Sequence, residues 1–170
     1  MATSEIVDTA FGTPCPDFVL PDPEGRTYTR DDLKGQNGLV IAVICNHCPH
    51  VRKQMAALAE DLATLAAEGI GACCVMPNDW SVYPSDAPDH MDAFATEYGL
   101  TVPYLVDETQ AVARALGAVC TPDLFGYGPD LTLRYRGRQA ELRAAMRAVA
   151  AGQDVPDQVA GMGCSIKWRA

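Results

Sequence analysis

One junction constrains this chain more than any other. The apolar run Leu39-Val40-Ile41-Ala42-Val43-Ile44 leads straight into Cys45-Asn46-His47-Cys48-Pro49, and good helix formers follow from Val51 to Glu68. A strand with no polar alternation belongs in the middle of a sheet covered on both faces. Two cysteines separated by two residues therefore fall where a buried strand turns into a helix. The thiolate, not the thiol, is the nucleophile, and a helix N-terminus stabilises negative charge. Pro49 fits the first helical turn, where backbone N–H groups have no intrahelical partner. This spacing beside a βα unit is a redox dithiol pattern.

The remaining pattern alternates strands and helices. Val51, Met55, Leu58, Leu62 and Leu65 step by four and three along one helical face, and Gly69 ends that helix. Residues 70–76 read as a second central strand, in which Cys73 and Cys74 face opposite sides as small core hydrophobes. The loop 77–86 carries Trp80 and Tyr83, either lining a groove or packing on the domain. Asp86 is expected to cap the next helix, with Pro88 in its first turn and Met91, Phe94 and Tyr98 as its buried stripe. A short strand follows over 102–106. Asp107 with Gln110 then suggests a capping box for a helix that stops at Gly117. Strands over 124–127 and 131–136 flank a turn at 128–130, and the last helix spans 139–150. Near the start, 18–20 and 26–29 form a hairpin around the turn at 21–25, and 31–35 is a short helical turn. Residues 1–13 carry little pattern and are expected to drape over the surface. Cys15 reads as incidental.

The element order is hairpin, βαβαβα, ββα. Right-handed crossovers make the first units parallel, and the closing hairpin is antiparallel. The expected fold class is α/β: three layers, a central mixed β-sheet flanked by helices, with an N-terminal β-hairpin extension. One domain is expected over 1–170, with 1–35 as extension and hairpin and 151–170 as a mobile tail.

Composition narrows the function. The 170 residues carry a formal charge of −9, with 48% hydrophobic and 21% charged residues. The absence of a basic cluster argues against nucleic-acid and anionic-membrane partners. No apolar run approaches the ~20 residues that span a bilayer. The first residues lack a basic and an apolar leader region, so a cytoplasmic location is expected. Seven cysteines form an odd set, better suited to one reactive pair plus free thiols than to a disulfide framework. Nucleophile-elbow, phosphate-loop and dinucleotide motifs are missing.

Several blocks together resemble the thioredoxin-like superfamily, and more closely its peroxiredoxin-like branch related to the alkyl hydroperoxide reductase/thiol-specific antioxidant proteins. They are the segment from Cys45 to Val51, the loop from Asn78-Asp79 to Tyr83-Pro84, and the run from Tyr104 to Ala113. Gly117 to Asp123, Tyr135 to Arg138 and Gly163 to Trp168 also match. The resemblance implies that Cys45 is the nucleophilic and more exposed cysteine and Cys48 the resolving one. It also implies that Thr121-Pro122 is a cis-proline loop facing them. The sequence departs from the peroxiredoxin pattern P-x-x-x-T-x-x-C. With Cys48 in the peroxidatic place, Cys45 occupies the threonine position and Ile41 the proline position. Arg114, the nearest arginine candidate, lies on a helix. The connection after Arg138 is also shorter than in relatives.

The expected function is thiol-disulfide exchange by a Cys45/Cys48 couple. His47 would tune it, since an imidazolium beside a thiolate favours the reduced form. That places the potential above the roughly −270 mV of thioredoxin. Cys120, beside the proline loop, and Cys164, in the tail, are possible additional thiols. The alternatives are a thiol peroxidase passing through a sulfenic acid, and a copper- or zinc-binding protein using Cys45, His47, Cys48 and His50. No cofactor or metal is expected beyond the redox-active disulfide. The expected partners are a protein or small-molecule disulfide or peroxide and a thiol reductant. The oligomeric state is left open.

Overall fold

The computed structural model of the protein describes residues 3–5 and 9–170. Its strands are β1 (Thr3–Glu5), β2 (Val19–Pro21), β3 (Thr27–Thr29), β4 (Gly38–Val43), β5 (Ile70–Met76), β6 (Tyr104–Val106), β7 (Cys120–Thr121), β8 (Asp123–Tyr127), β9 (Leu133–Gly137) and β10 (Met162–Ser165). The helices are α1 (Arg30–Leu33), α2 (Pro49–Ala67), α3 (Met91–Tyr98), α4 (Ala111–Leu116) and α5 (Gln139–Ala150).

The apolar run becomes the middle strand of a five-stranded sheet of order β6-β5-β4-β8-β9. β4 is buried at every position. It pairs in parallel with β5 and antiparallel with β8, which gives the mixed sheet. The two-residue period sorts the side chains. Val40, Ala42, Cys74 and Met76 face a core shared with α2, α3 and α5. Leu39, Ile41, Val43, Cys73 and Val75 face a second core under α1, α4 and the β2–β3 hairpin. Side chains covered on both faces leave the strand no polar option, so the continuous apolar run follows from its central place.

The α2 stripe lands as its spacing predicts, with Val51, Met55, Leu58, Leu62 and Leu65 fully buried. Each such side chain contributes ~1.5–3 kcal/mol on transfer from water, as an upper estimate. Gly69 follows the helix with φ +82°, a left-handed turn that glycine adopts without a Cβ penalty. Among the described residues, no helix is long and apolar enough to cross a membrane.

The chain ends differ from expectation. Thr3–Glu5 does not drape; it pairs antiparallel with β10. Residues 1, 2 and 6–8, which fall within the expected draping segment, lie outside the described residues. The expected mobile tail contains β10, which sits between β1 and β7 in a small second sheet. Its hydrogen-bond partners are distant in sequence, so no local period announces it.

Two expected caps are also replaced. Asp107 does accept helix N–H groups, from Val112 (3.3 Å) and Ala113 (2.8 Å). Gln110, however, is the left-handed residue preceding α4 (φ +67°), not a capping-box partner. Its side chain instead donates to the carbonyls of Pro77 and Lys167 and accepts from the Arg169 amide, tying the tail to the sheet. Asp86 does not cap α3, whose preceding residue is His90. Pro84–Asp86 and Pro88–His90 form two tight turns before that helix, and the Asp86 carboxylate is turned back toward the dithiol.

Candidate functional site

The site forms where three connections meet. β4 ends at Val43, and the Ile44 N–H still bonds the Val75 carbonyl at 2.9 Å, so the ladder holds the chain up to Cys45. Cys48 is the N-cap residue of α2, with Pro49 next. β7 then brings Thr121 and the cis Thr121–Pro122 bond against the two sulfurs. Cys45 Sγ lies 3.4 Å from Thr121 Oγ1. Cys48 Sγ lies 3.3 Å from the Thr121 carbonyl oxygen, to which its thiol form donates. All seven cysteines are free thiols.

Cys45 is not the more exposed sulfur: both it and Cys48 have zero exposure. The electrostatics set the two sulfurs apart. The hydrogen bond from the Cys45 thiol pushes Cys48 down to about 4, against the opposing effect of burial. The Cys164 thiol, the Val51 amide and Thr121 help in the same direction. Cys45 moves the other way, because its proton is held by Cys48, by burial and by the nearby Asp86 charge. The two thiols are thus coupled, and the helix head favours negative charge on the sulfur nearest it.

Cys164 is part of this arrangement rather than of a mobile tail. It is 2% exposed, stands opposite Thr121 in the β10–β7 register and contacts Cys48 and the His50 amide in the first turn of α2. Burial first, then Cys48, pushes its thiol up to about 11. Gly163 makes the approach possible: a Cβ there would lie 2.1 Å from the Thr121 carbonyl oxygen. Cys120 is buried, packs through its sulfur 3.5 Å from the Pro122 carbonyl and is pushed up to about 12, chiefly by burial.

His47 sits inside a polar cage, not on a wet rim. Its side chain is 15% exposed and its Nδ1 lies 2.5 Å from Asp86 Oδ2. Its ring stacks on Tyr83 with centroids 5.1 Å apart and an 8° interplanar angle. Asp86 itself is fully buried. Its carboxylate accepts the backbone N–H of Asn46 (2.8 Å) and of His47 (3.2 Å), and the Asn78 amide (3.0 Å). Burial raises its pKa, but the bonds from His47 and Asn78 outweigh that and hold it below the ordinary carboxylate value. Asn46 is fixed further by Tyr104 OH at 2.8 Å and by the Ser85 carbonyl at 3.0 Å.

Asp86 is the residue that reading the sequence alone misses. Ser-Asp-Ala-Pro resembles a helix start, and its partners lie forty residues upstream. The signal that would have found it is topological. β4 and β5 are parallel neighbours, so the loops leaving their C-terminal ends, 45–48 and 77–86, have to meet. Trp80 packs against the core and carries the Arg169 guanidinium 4.8 Å from its ring. Arg114 does not join the dithiol; it stacks 4.2 Å over Trp168. The expected metal set is not assembled either. Among the described residues, the potential ligand atoms within 4.8 Å of one another belong to Cys45, His47 and Asp86, without Cys48 or His50.

This fold is thioredoxin-like, shared with solved structures such as that of a Bacteroides thetaiotaomicron protein carrying the provisional name protein disulfide isomerase, 17% identical with 89% of this chain covered and a TM-score of 0.69. A family model described as the AhpC/TSA family matches residues 11–136, and the chain belongs to that family. It is similar to a hypothetical protein of Sinorhizobium meliloti 1021 of known crystal structure, with 36% identity, 98% of each chain covered and a TM-score of 0.93. It is also similar to the thiol-disulfide oxidoreductase ResA of Geobacillus thermodenitrificans, 26% identical over 122 residues, 72% of this chain and 66% of that protein. A Mycobacterium tuberculosis protein carrying the provisional name peroxiredoxin is 26% identical over 115 residues, 68% of each chain.

Proposed function

We propose that the protein is a thiol-disulfide oxidoreductase whose couple is Cys45/Cys48. The observation that carries this reading is geometric: two sulfurs at one strand–helix turn, Cys45 Sγ 3.4 Å from Thr121 Oγ1 and Cys48 Sγ 3.3 Å from the Thr121 carbonyl oxygen, with Cys48 at the head of α2. Cys48 thiolate attacks a substrate disulfide and releases one thiolate. Cys45 then attacks the Cys48 sulfur, forms the internal disulfide and releases the second half of the substrate. Two electrons pass from the couple to the substrate. A thiol reductant restores the dithiol by the same steps in reverse. Stabilising the Cys48 thiolate favours the reduced form, so the potential falls between about −270 and about −120 mV, the range from thioredoxin to strongly oxidising dithiol proteins. Cys164, in contact with Cys48, serves as a further resolving thiol, while Cys120 packs the proline loop.

The family and the lowered Cys48 also support a second reading, a thiol peroxidase. Hydroperoxide would oxidise Cys48 to a sulfenic acid, which Cys45 condenses with to give the same disulfide and water. One experiment separates the two. The protein is equilibrated in glutathione buffers of graded poise, thiols are trapped, and disulfides are mapped by peptide mass. A two-electron transition assigned to Cys45–Cys48, with hydrogen peroxide consumed no faster than by C48S, supports exchange. Peroxide consumption lost in C48S supports the peroxidase. Failure of both thiols to oxidise within the range above sinks both.

A further inference from the structure

Closing the internal disulfide requires Cys45 to lose its proton. Its sulfur is buried, so a neighbouring side chain is the nearest base for that proton. One titratable ring stands beside it: a His47 nitrogen, an Asp86 carboxylate oxygen and Cys45 Sγ all lie within 4.8 Å of one another. The tautomer of that ring follows from its partner. A carboxylate only accepts, so the contact to Asp86 places the proton on Nδ1. In the neutral ring Nε2 then carries the lone pair, and it is buried without a hydrogen-bond partner among the described residues. Buried polar atoms are almost always paired, so an orphan at a reactive site asks for a transient partner.

We propose that His47 is the base that takes the Cys45 proton during disulfide closure, and that Asp86 is the positioning residue that fixes its tautomer and its ring. This rests on the dithiol reading above. The groups facing the ring are few. Asp86 binds Nδ1, Tyr83 stacks on one face and Cys45 lies alongside; Lys167 Nζ stands 5.7 Å from the Tyr83 ring centroid. The step balances. The Cys45 proton passes to Nε2, the freed electron pair forms the bond to Cys48 Sγ, and the bond from Cys48 to the substrate sulfur breaks. The departing sulfur keeps that pair and leaves as a thiolate, free to collect the proton from the imidazolium. Asp86 also anchors the Asn46 and His47 amides. An asparagine at 86 can keep those acceptor bonds through its oxygen. Its NH₂ group would face Nδ1, forcing the other tautomer, in which Nε2 carries hydrogen and cannot accept a proton.

The test uses 5,5′-dithiobis(2-nitrobenzoate) as the disulfide. Cys48 attack releases one coloured thiolate, and Cys45 attack on the mixed disulfide releases a second, so stopped-flow absorbance resolves the two steps. In wild type the second phase rises with pH through one titration. In D86N and in H47Q, the ratio of second-phase to first-phase rate is expected to fall roughly 10- to 100-fold, the usual range for losing a general base. The pH step in that ratio should vanish. A purely structural role moves both phases together. An unchanged ratio in both variants therefore overturns the proposal, and if D86N does not fold, H47Q alone decides. Failure of the dithiol reading looks different: wild type itself then releases only one thiolate per protein.

Discussion

Cys45/Cys48 and Cys73/Cys74 are equally buried, each at zero exposure, yet only the first pair converges on one partner, Thr121. Cys73 and Cys74 are closer in sequence, but they lie within β5, where successive side chains point to opposite faces, and they fall into different cores. Burial raises both, Cys74 among hydrocarbon alone. Cys45 and Cys48 sit where a strand gives way to a helix, so both point to Thr121, and Cys48 also meets the Val51 amide. Burial suppresses a thiol when nothing polar accompanies it. With donors converging on one sulfur, the same burial strengthens the charge stabilisation.

Substitution breaks this comparison most sharply. C48S is expected to slow disulfide exchange about a thousandfold or more, because a hydroxyl is a poor nucleophile near neutral pH. C73A and C74A should leave the rate within about twofold, as separated sites act independently. Turnover of a chromogenic disulfide measures both.

The next effect is on folding. In G163A the new methyl would meet the Thr121 carbonyl, at an expected loss of ~1–3 kcal/mol for overpacking. Urea denaturation reads the loss, and faster alkylation of Cys164 would show β10 lifting away. C74S should destabilise by a similar ~1–3 kcal/mol, since a hydroxyl would be buried in an apolar core without a partner. A value near zero would mean that the core at Cys74 is wetter than its neighbours indicate.

The last effect is a slope. Cys48 falls from its ordinary 9.0 to about 4 in the fold. Between those values the unfolded chain binds a proton that the native dithiol does not, so the reduced protein gains stability as pH rises from about 4 toward 9. That contribution is fully present above the unfolded value and is lost as pH falls through the folded one. C48A should flatten the rise, as measured by chemical denaturation at pH 5 and pH 8. A rise that persists in C48A would assign it to another group.

Much of this was legible in the sequence. The α2 stripe, the opposed faces of Cys73 and Cys74 and the run of α5 follow from periods of 3.6 and 2. Local periodicity encodes each of them. What stayed hidden depends on distant partners. Asp86 reads as a cap until β4 and β5 are placed side by side. Met162–Ser165 has no period because its partners are Thr3–Glu5 and Cys120–Thr121. The surroundings of Cys48 also escaped, since they include Cys164 and the Val51 amide as well as its motif neighbours.

The strand that covers the dithiol is made long after the dithiol itself. A nascent chain emerges from the ribosome with Cys45 and Cys48 already outside while Gly163 and Cys164 are still in the tunnel. During that interval the pair has no β10 against Thr121, so the closed surroundings of the two sulfurs are completed only when four late residues arrive.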